Sequence, residues 1–200
     1  MNAYKPSFEF IAQSKIPTPR GDMFVRAYRN HKDGTEPVAI FFHNPHGREN
    51  LPIRVHDACF TSEVLGSQKC DCKEQLDYAM DFIANQPGMV IYLQQEGRGI
   101  GLANKIAVYA IQEQGVDTVE ANRALHFPDD SREYDIAAFI INDLEIPSIA
   151  LMTNNPRKVD LLTKEGINIT DRIAVHIPPN PHSSGYLKTK QARMGHLLNL

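Results

Sequence analysis

Short apolar runs separated by turn-forming residues dominate the first third of the chain. Residues 23–28, 38–42 and 51–56 are rich in β-branched and aromatic side chains. Turn-prone segments, among them Lys32-Asp33-Gly34 and Asn44-Pro45-His46-Gly47, separate these runs. The pattern predicts three strands with antiparallel pairing between neighbours.

Helical periodicity begins in the segment that carries the last two cysteines. Leu76, Met80 and Ile83 recur at helical spacing, and Asp71 and Glu74 precede them in capping-box positions. A helix is therefore predicted to start beside these cysteines.

Two strand–loop–helix units follow. In the first, residues 89–93 predict a strand, and Leu102, Ile106, Tyr109 and Ala110 trace one helix face. The remaining predicted elements are a strand over 148–152, a helix that begins at Asn155 and Pro156 and ends near Gly166, a loop over 176–185 and a last helix over 186–198. We predict an α/β fold with a mixed β-sheet and flanking helices, in which residues 1–200 form a single domain.

Composition narrows the class of protein. Hydrophobic residues make up 42% and charged residues 22% of the 200 residues, as in ordinary globular proteins. A formal net charge of -3 argues against binding a nucleic acid polymer by counterion release. No apolar run approaches the roughly 20 residues that span a bilayer, and residues 1–10 carry no secretory signal. We expect a cytoplasmic protein that binds neither membrane nor nucleic acid polymer.

The three cysteines are the clearest chemical signal. Their spacing, Cys59-x10-Cys70-x-Cys72, does not suit a disulfide framework. Three thiolates leave the fourth tetrahedral position of zinc open for water, as catalytic sites require, and the helix start stabilises the Cys72 thiolate. There are two alternatives: the cysteines are three buried apolar residues, or they form a structural zinc site that His56 completes. His56 lies at the end of a predicted strand, a position more typical of a core residue or of a residue that contacts a metal ligand than of a ligand itself.

Two loops that each connect a predicted strand to a predicted helix carry groups suited to binding anions. In Glu96-Gly97-Arg98-Gly99-Ile100-Gly101, backbone N–H groups can approach a phosphate, Arg98 can bind it in bidentate fashion and Glu96 can accept from the amine of a base. In the second loop, Thr153 and Lys158 add donors to a helix N-terminus. Either charged residue of the first loop can instead form a surface ion pair, and the run Asp129-Asp130-Ser131-Arg132-Glu133, taken alone, indicates a solvated loop.

These motifs together resemble the GTP cyclohydrolase II family. The resemblance is carried by Arg54-Val-His-Asp-Ala-Cys59, Lys69-Cys-Asp-Cys72, Gln95-Glu-Gly-Arg-Gly-Ile-Gly-Leu102, Asp117-Thr-Val-Glu-Ala-Asn122 and Leu151-Met-Thr-Asn-Asn-Pro-Arg-Lys158. It implies a homodimeric enzyme that opens the imidazole ring of GTP at C8, releases formate and pyrophosphate, and forms the diaminopyrimidine that starts riboflavin biosynthesis.

The resemblance also implies roles for individual residues. It places one zinc ion on Cys59, Cys70 and Cys72, where the ion activates water against C8, and magnesium is expected to assist pyrophosphate release. The implied GTP contacts are Arg54, Val55, His56, Asp57, Gln75, Glu96, Gly97, Arg98, Thr118, Thr153 and Lys158. The implied catalytic residues are Asp130 as proton acceptor, Arg132 as nucleophile and Tyr109. Because a guanidinium has no available lone pair, charge stabilisation at the α-phosphate is the better role for Arg132.

The chain departs from the family pattern at several loop positions. Ala58 replaces a usual glutamate, Ala107 precedes Tyr109 by two residues where an arginine is frequent, Thr61-Ser-Glu63 replaces Thr-Gly-Asp, and Leu125-His-Phe127 replaces Leu-Gly-Phe. The alternatives are a divergent homologue with an incomplete reaction or an altered nucleotide substrate, and a non-catalytic zinc- and nucleotide-binding regulator.

Overall fold

A computed structural model describes residues 7–115, 118–128 and 130–185, together with 187, 191, 195 and 197. The helix predicted over 186–198 falls almost entirely outside these residues. In the described part of the chain, no helix has the length and apolar character needed to cross a membrane.

Seven strands of the described residues form one sheet, in the order β1-β2-β3-β5-β4-β6-β7. The strands are β1 (Phe8–Thr18), β2 (Gly21–Asn30), β3 (Val38–Phe41), β4 (Leu51–Asp57), β5 (Met89–Leu93), β6 (Ile149–Met152) and β7 (Ile169–Ile173). Strand β2 pairs antiparallel with β1 and β3, and β3 pairs antiparallel with β5. Strand β6 lies parallel to β4 and β7. The predicted mixed sheet is confirmed, and so is the antiparallel pairing of β2 with β3. The third predicted strand, β4, does not pair with β3, because β5 lies between them.

Helices occupy the connections between strands. They are α1 (Phe60–Glu63), α2 (Cys72–Asn85), α3 (Leu102–Gln112), α4 (Thr118–Ala124), α5 (Asp135–Asp143) and α6 (Pro156–Lys164). The predicted start of α6 is confirmed, because the Asn155 side chain accepts a hydrogen bond from the Arg157 N–H and Pro156 opens the helix.

The sequence analysis missed three elements that pack with the sheet. Helix α5 buries Ile136, Ala137, Ala138, Ile140 and Ile141, so it lacks the polar face that makes helical periodicity visible. Strand β1 is exposed along almost its whole length and therefore shows no alternation between a buried and a solvated face. The short strand β7 completes the parallel edge.

The described chain divides into two compact units, each made of separate segments. Among the described residues, the sheet unit comprises residues 7–56, Leu76–Gln94 and Tyr134–Val175, and the cysteine unit comprises Asp57–Gln75, the described part of Gln95–Glu133 and residues 176–185. The apolar core of the sheet unit is formed by strand residues such as Ile53, Ile91 and Leu151 together with Ile140 of α5. The single-domain assignment stays a prediction.

Candidate functional site

The three cysteines converge in the cysteine unit. Their sulfur atoms all lie within 4.8 Å of one another, and the Sγ atoms of Cys59 and Cys70 are 3.7 Å apart. Cys59 immediately precedes α1, and Cys72 is the first residue of α2. Two sulfurs bound tetrahedrally at ~2.3 Å from zinc lie about 3.8 Å apart, so the observed separation fits two ligands of one ion.

The interactions that shift the pKa values of the cysteine thiols also favour metal binding. Hydrogen bonds from Cys70 and then Cys72 lower the pKa of the Cys59 thiol, and the nearby Lys105 ammonium adds to this effect. The same hydrogen bond raises the pKa of Cys70, because Cys70 acts as the donor to the Cys59 thiolate. These interactions favour the thiolate form of Cys59, which is the form that metals bind.

Lys105 of α3 makes a direct cationic contact with this cluster. Its Nζ lies 3.1 Å from the Cys59 Sγ, 2.9 Å from the Thr61 Oγ1 and 2.8 Å from the Glu96 Oε1. The sequence analysis did not identify Lys105. An available signal was its position as the one charged residue in the α3 sequence LANKIAVYAIQ, because a lone charge among apolar positions needs a partner when it is buried.

The glycine-rich loop over Glu96–Gly99 is kinked, and three consecutive residues in it, Gly97, Arg98 and Gly99, adopt positive φ. Gly97 has φ 61° and Arg98 has φ 63°, which is uncommon for a residue with a side chain. The Phe60 N–H donates to the Glu96 Oε2 at 2.5 Å and the Gly97 N–H to the Oε1 at 2.9 Å. The loop is thus tied to the start of α1, directly after Cys59.

The loop is also joined to the charged segment 130–133. The Ser131 N–H donates to the Arg98 carbonyl at 3.1 Å. Gln95 and Glu133 exchange two hydrogen bonds, at 2.7 Å and 2.9 Å, between the amide side chain and the backbone. The segment is consequently hydrogen-bonded to the glycine-rich loop, while Ser131 and Glu133 remain exposed to solvent. Asp129 lies outside the described residues.

Arg132 lies between two carboxylates. Its NH1 donates to the Asp57 Oδ2 at 2.7 Å, while its NH2 and Nε donate to the two Asp130 oxygens at 2.7 Å and 2.9 Å. The side chains of Asp57, Asp130 and Arg132 are 10%, 5% and 13% exposed. Paired carboxylates of this kind keep the guanidinium charged, which supports charge stabilisation over nucleophilic attack.

Two other predicted residues of the cysteine unit also have defined contacts. The Gln75 side chain donates to the Asp71 carboxylate at 2.5 Å. The Tyr109 ring centroid lies 4.5 Å from the Lys69 Nζ and 5.7 Å from the Lys105 Nζ. Thr118 is the first residue of α4, and its side chain is outside what the structure describes.

The remaining predicted residues belong to the sheet unit. The buried Lys158 donates to the Val55 carbonyl at 2.6 Å, and Arg54 donates to the Met152 carbonyl at 2.9 Å. The Thr153 hydroxyl accepts from the Asn155 N–H at 3.0 Å. Lys158 and Arg54 therefore both contact backbone carbonyls close to the ends of strands. His56 is buried and stacks on Tyr92, with ring centroids 5.6 Å apart, as expected of a core residue.

Two departures from the family pattern have local hydrogen-bond partners in the structure, and a third has an unusual backbone angle. Glu63 accepts from the Cys59 N–H at 2.8 Å, and the Ser62 hydroxyl accepts from the Lys73 N–H at 3.0 Å. His126 adopts a positive φ of 59°, a conformation that suits the glycine usual at that position. Local hydrogen bonds therefore accommodate Glu63 and Ser62, whereas His126 adopts a backbone conformation that favours glycine.

Together, the sheet and the site define an α/β protein with a three-cysteine cluster suited to metal binding and a glycine-rich loop tied to it. A family model described as GTP cyclohydrolase II matches residues 9–174. The chain therefore belongs to the GTP cyclohydrolase II family, and the resemblance to this family of enzymes is confirmed.

Characterised relatives agree with this membership. The chain is 47% identical over 193 residues to the riboflavin biosynthesis protein RibBA of Chlamydia muridarum, an alignment that covers 96% of this chain and 46% of that protein. It is 45% identical over 191 residues to GTP cyclohydrolase-2 of Picrophilus torridus, covering 94% and 98% of the two chains. GTP cyclohydrolase-2 of Salmonella typhimurium is 43% identical over 190 residues, covering 94% and 97%. The chain thus spans about half of RibBA and nearly all of the GTP cyclohydrolase-2 relatives.

A solved structure is more distant. RibBX of A. baumannii, a two-domain 3,4-dihydroxy-2-butanone 4-phosphate synthase, superposes with a TM-score of 0.47 at 16% identity, covering 87% of this chain and 42% of that one.

Proposed function

We propose that this protein hydrolyses GTP as a GTP cyclohydrolase II, opening the imidazole ring at C8 and releasing formate and pyrophosphate in riboflavin biosynthesis. The observation that carries the proposal is the convergence of three cysteine sulfurs within 4.8 Å beside the loop that begins at Glu96. The relatives named GTP cyclohydrolase-2 support the same activity. Cytoplasmic location and homodimer formation belong to the proposal as well.

Cys59, Cys70 and Cys72 would hold one zinc ion in this proposal. Their donor chemistry and spacing fit zinc better than magnesium or calcium, which prefer oxygen ligands. When bound, zinc supplies a Lewis acid that makes water a nucleophile near neutral pH. Magnesium on the triphosphate would assist pyrophosphate release.

Glu96 provides base recognition. A carboxylate accepts hydrogen bonds and donates none, so it selects a base edge that carries an amine. The Phe60 and Gly97 N–H groups fix its orientation. Arg98, Thr153 and the other predicted donors contact GTP in this scheme.

Arg132 stabilises charge that develops on the α-phosphate. Asp57 and Asp130 hold it through the bonds described above, so its fork is oriented before substrate binds. Asp130 accepts two of these bonds, and in this proposal it also serves as the proton acceptor. Tyr109 remains a predicted catalytic residue.

The direct test combines zinc-loaded protein with GTP and magnesium and measures formate, pyrophosphate and the diaminopyrimidine by mass spectrometry. All three products are expected. Ring opening without complete release would indicate the divergent homologue, tight GTP binding without formate would indicate the regulator, and either result contradicts the proposal.

A matched pair of variants tests the metal assignment. Cys72→Ser should abolish both bound zinc and turnover, because an alcohol is a much weaker zinc ligand than a thiolate. Gln68→Ala changes an exposed residue between the first two cysteines and should retain both. Full zinc content in Cys72→Ser, measured by elemental analysis, would show that Cys72 is not a ligand.

A further inference from the structure

The Lys105 ammonium lies at the centre of a buried polar network in the cysteine unit. Its three acceptors belong to Cys59, Thr61 and Glu96, at 3.1 Å, 2.9 Å and 2.8 Å. The Lys105 side chain is 11% exposed and that of Glu96 12% exposed. An ammonium group has three N–H donors, so the three contacts match its full donor capacity. The position of this lysine is thereby determined by all three partners at once.

The contacts of Glu96 show what Lys105 controls. The Oε1 atom accepts from Lys105 and from the Gly97 N–H, and the Oε2 atom accepts from the Phe60 N–H. A carboxylate has about four acceptor positions. These three contacts leave room at Oε2 for one further donor, such as the exocyclic amine of a purine.

We propose that Lys105 is a positioning residue that couples base recognition to the metal site. It holds the Glu96 carboxylate in the orientation that accepts the guanine amine, and through its contact with Cys59 it holds a sulfur of the zinc cluster. The inference rests on the proposed function, since it concerns the same site. Without the ammonium, Glu96 loses its ion pair and Cys59 loses a hydrogen-bond donor. Base recognition and the properties of the metal site should therefore change together.

The first readout is discrimination between GTP and ITP, which lacks the exocyclic amine. Lys105→Met should reduce the ratio of the kcat/KM values for GTP and ITP by about tenfold. This factor corresponds to the free energy of one hydrogen bond to a charged group. Lys164→Met removes an exposed lysine from the last turn of α6 and should leave the ratio unchanged.

The second readout does not depend on turnover. Cobalt(II) bound in place of zinc gives a sulfur-to-metal charge-transfer band, and an N–H donor on the sulfur stabilises its lone pairs and raises the energy of that band. Lys105→Met should therefore shift the band to lower energy, whereas Lys164→Met should not.

Two further variants show whether Lys105 acts through Glu96. In a Glu96→Gln background, Lys105→Met should have little additional effect on the GTP to ITP ratio, because the group that it positions is already altered. Lys105→Arg keeps the charge but places its donors in one plane, so it should fold even where Lys105→Met does not. The ratio should fall in this variant too, by a smaller factor.

The possible failures are distinguishable. If the unaltered protein neither binds cobalt through thiolates nor hydrolyses GTP, both the proposed function and this inference are refuted. If it does both, but every folded Lys105 variant keeps the original ratio and band energy, the inference alone is refuted. Additive effects of the Lys105 and Glu96 substitutions would likewise overturn the coupling.

Discussion

Gly99 lies against Ser131, where the glycine-rich loop meets the segment that carries Arg132. It has a φ of +91°, and a Cβ atom placed on it would lie 2.5 Å from the Ser131 Oγ. Contacts of this length do not occur for real Cβ atoms, so an alanine at this position must displace either the loop or Ser131. Gly115, which follows α3, offers a matched comparison because its φ is +89° and nothing lies within 4 Å of such a Cβ.

The two glycines separate backbone strain from steric conflict. A left-handed conformation costs a residue with a side chain ~1–2 kcal/mol, and this term is shared by Gly99→Ala and Gly115→Ala. Gly99→Ala adds the conflict with Ser131; because the nearest atom is a hydroxyl that can rotate away, this term should be about 1 kcal/mol, the lower end of the overpacking range. That difference corresponds to roughly 2–4 °C in Tm for a chain of this size.

Thermal unfolding and GTP kinetics measure the two consequences. Gly99→Ala should have the lower Tm of the two variants and a raised KM for GTP, because displacement of the loop moves Arg98. Ser131→Ala should partly rescue Gly99→Ala by removing the nearest atom, although it also removes the hydrogen bond that the Ser131 hydroxyl donates to the Arg98 carbonyl at 3.1 Å. Equal Tm values for the two glycine variants, or strict additivity of the Gly99 and Ser131 substitutions, would refute the contact.

Three other substitutions test the sheet unit. Asn155→Ala should destabilise the protein by about 1 kcal/mol through loss of the α6 N-cap, as measured by urea denaturation. Lys158→Met should lower the free energy of unfolding by ~1–3 kcal/mol, because it leaves the buried Val55 carbonyl without this donor; the exposed Lys164→Met should change it by less than about 0.5 kcal/mol. Burial raises the pKa of Tyr28 above its ordinary value of 10.0. As the pH rises above about 10, the unfolded state therefore releases the phenolic proton while the folded state keeps it. Stability should therefore be complete below about pH 10 and decrease above it, and Tyr28→Phe should remove that part of the decrease; an unchanged pH profile in Tyr28→Phe would contradict the assignment.

Features that depend on contacts between residues close in sequence could be predicted from the sequence alone. The Cys70-x-Cys72 pair at the start of α2, the Asn155 cap and the strands around Val38 and Met89 depend on neighbours within a few residues. Local propensity and periodicity describe such features well, because the groups that interact are also adjacent in sequence. The order of the motifs was sufficient to indicate the family.

The site itself depended on the tertiary structure. Lys105 contacts Cys59 across 46 positions of sequence, and Arg132 contacts Asp57 across 75. The lone charge of Lys105 in α3 indicates that it needs a partner, but no local pattern identifies the partner of Lys105 or of Arg132, since the partners are decided only when distant segments meet. The helix α5 escaped prediction for the same reason: its neighbours in the core, and not a polar face of its own, account for its position.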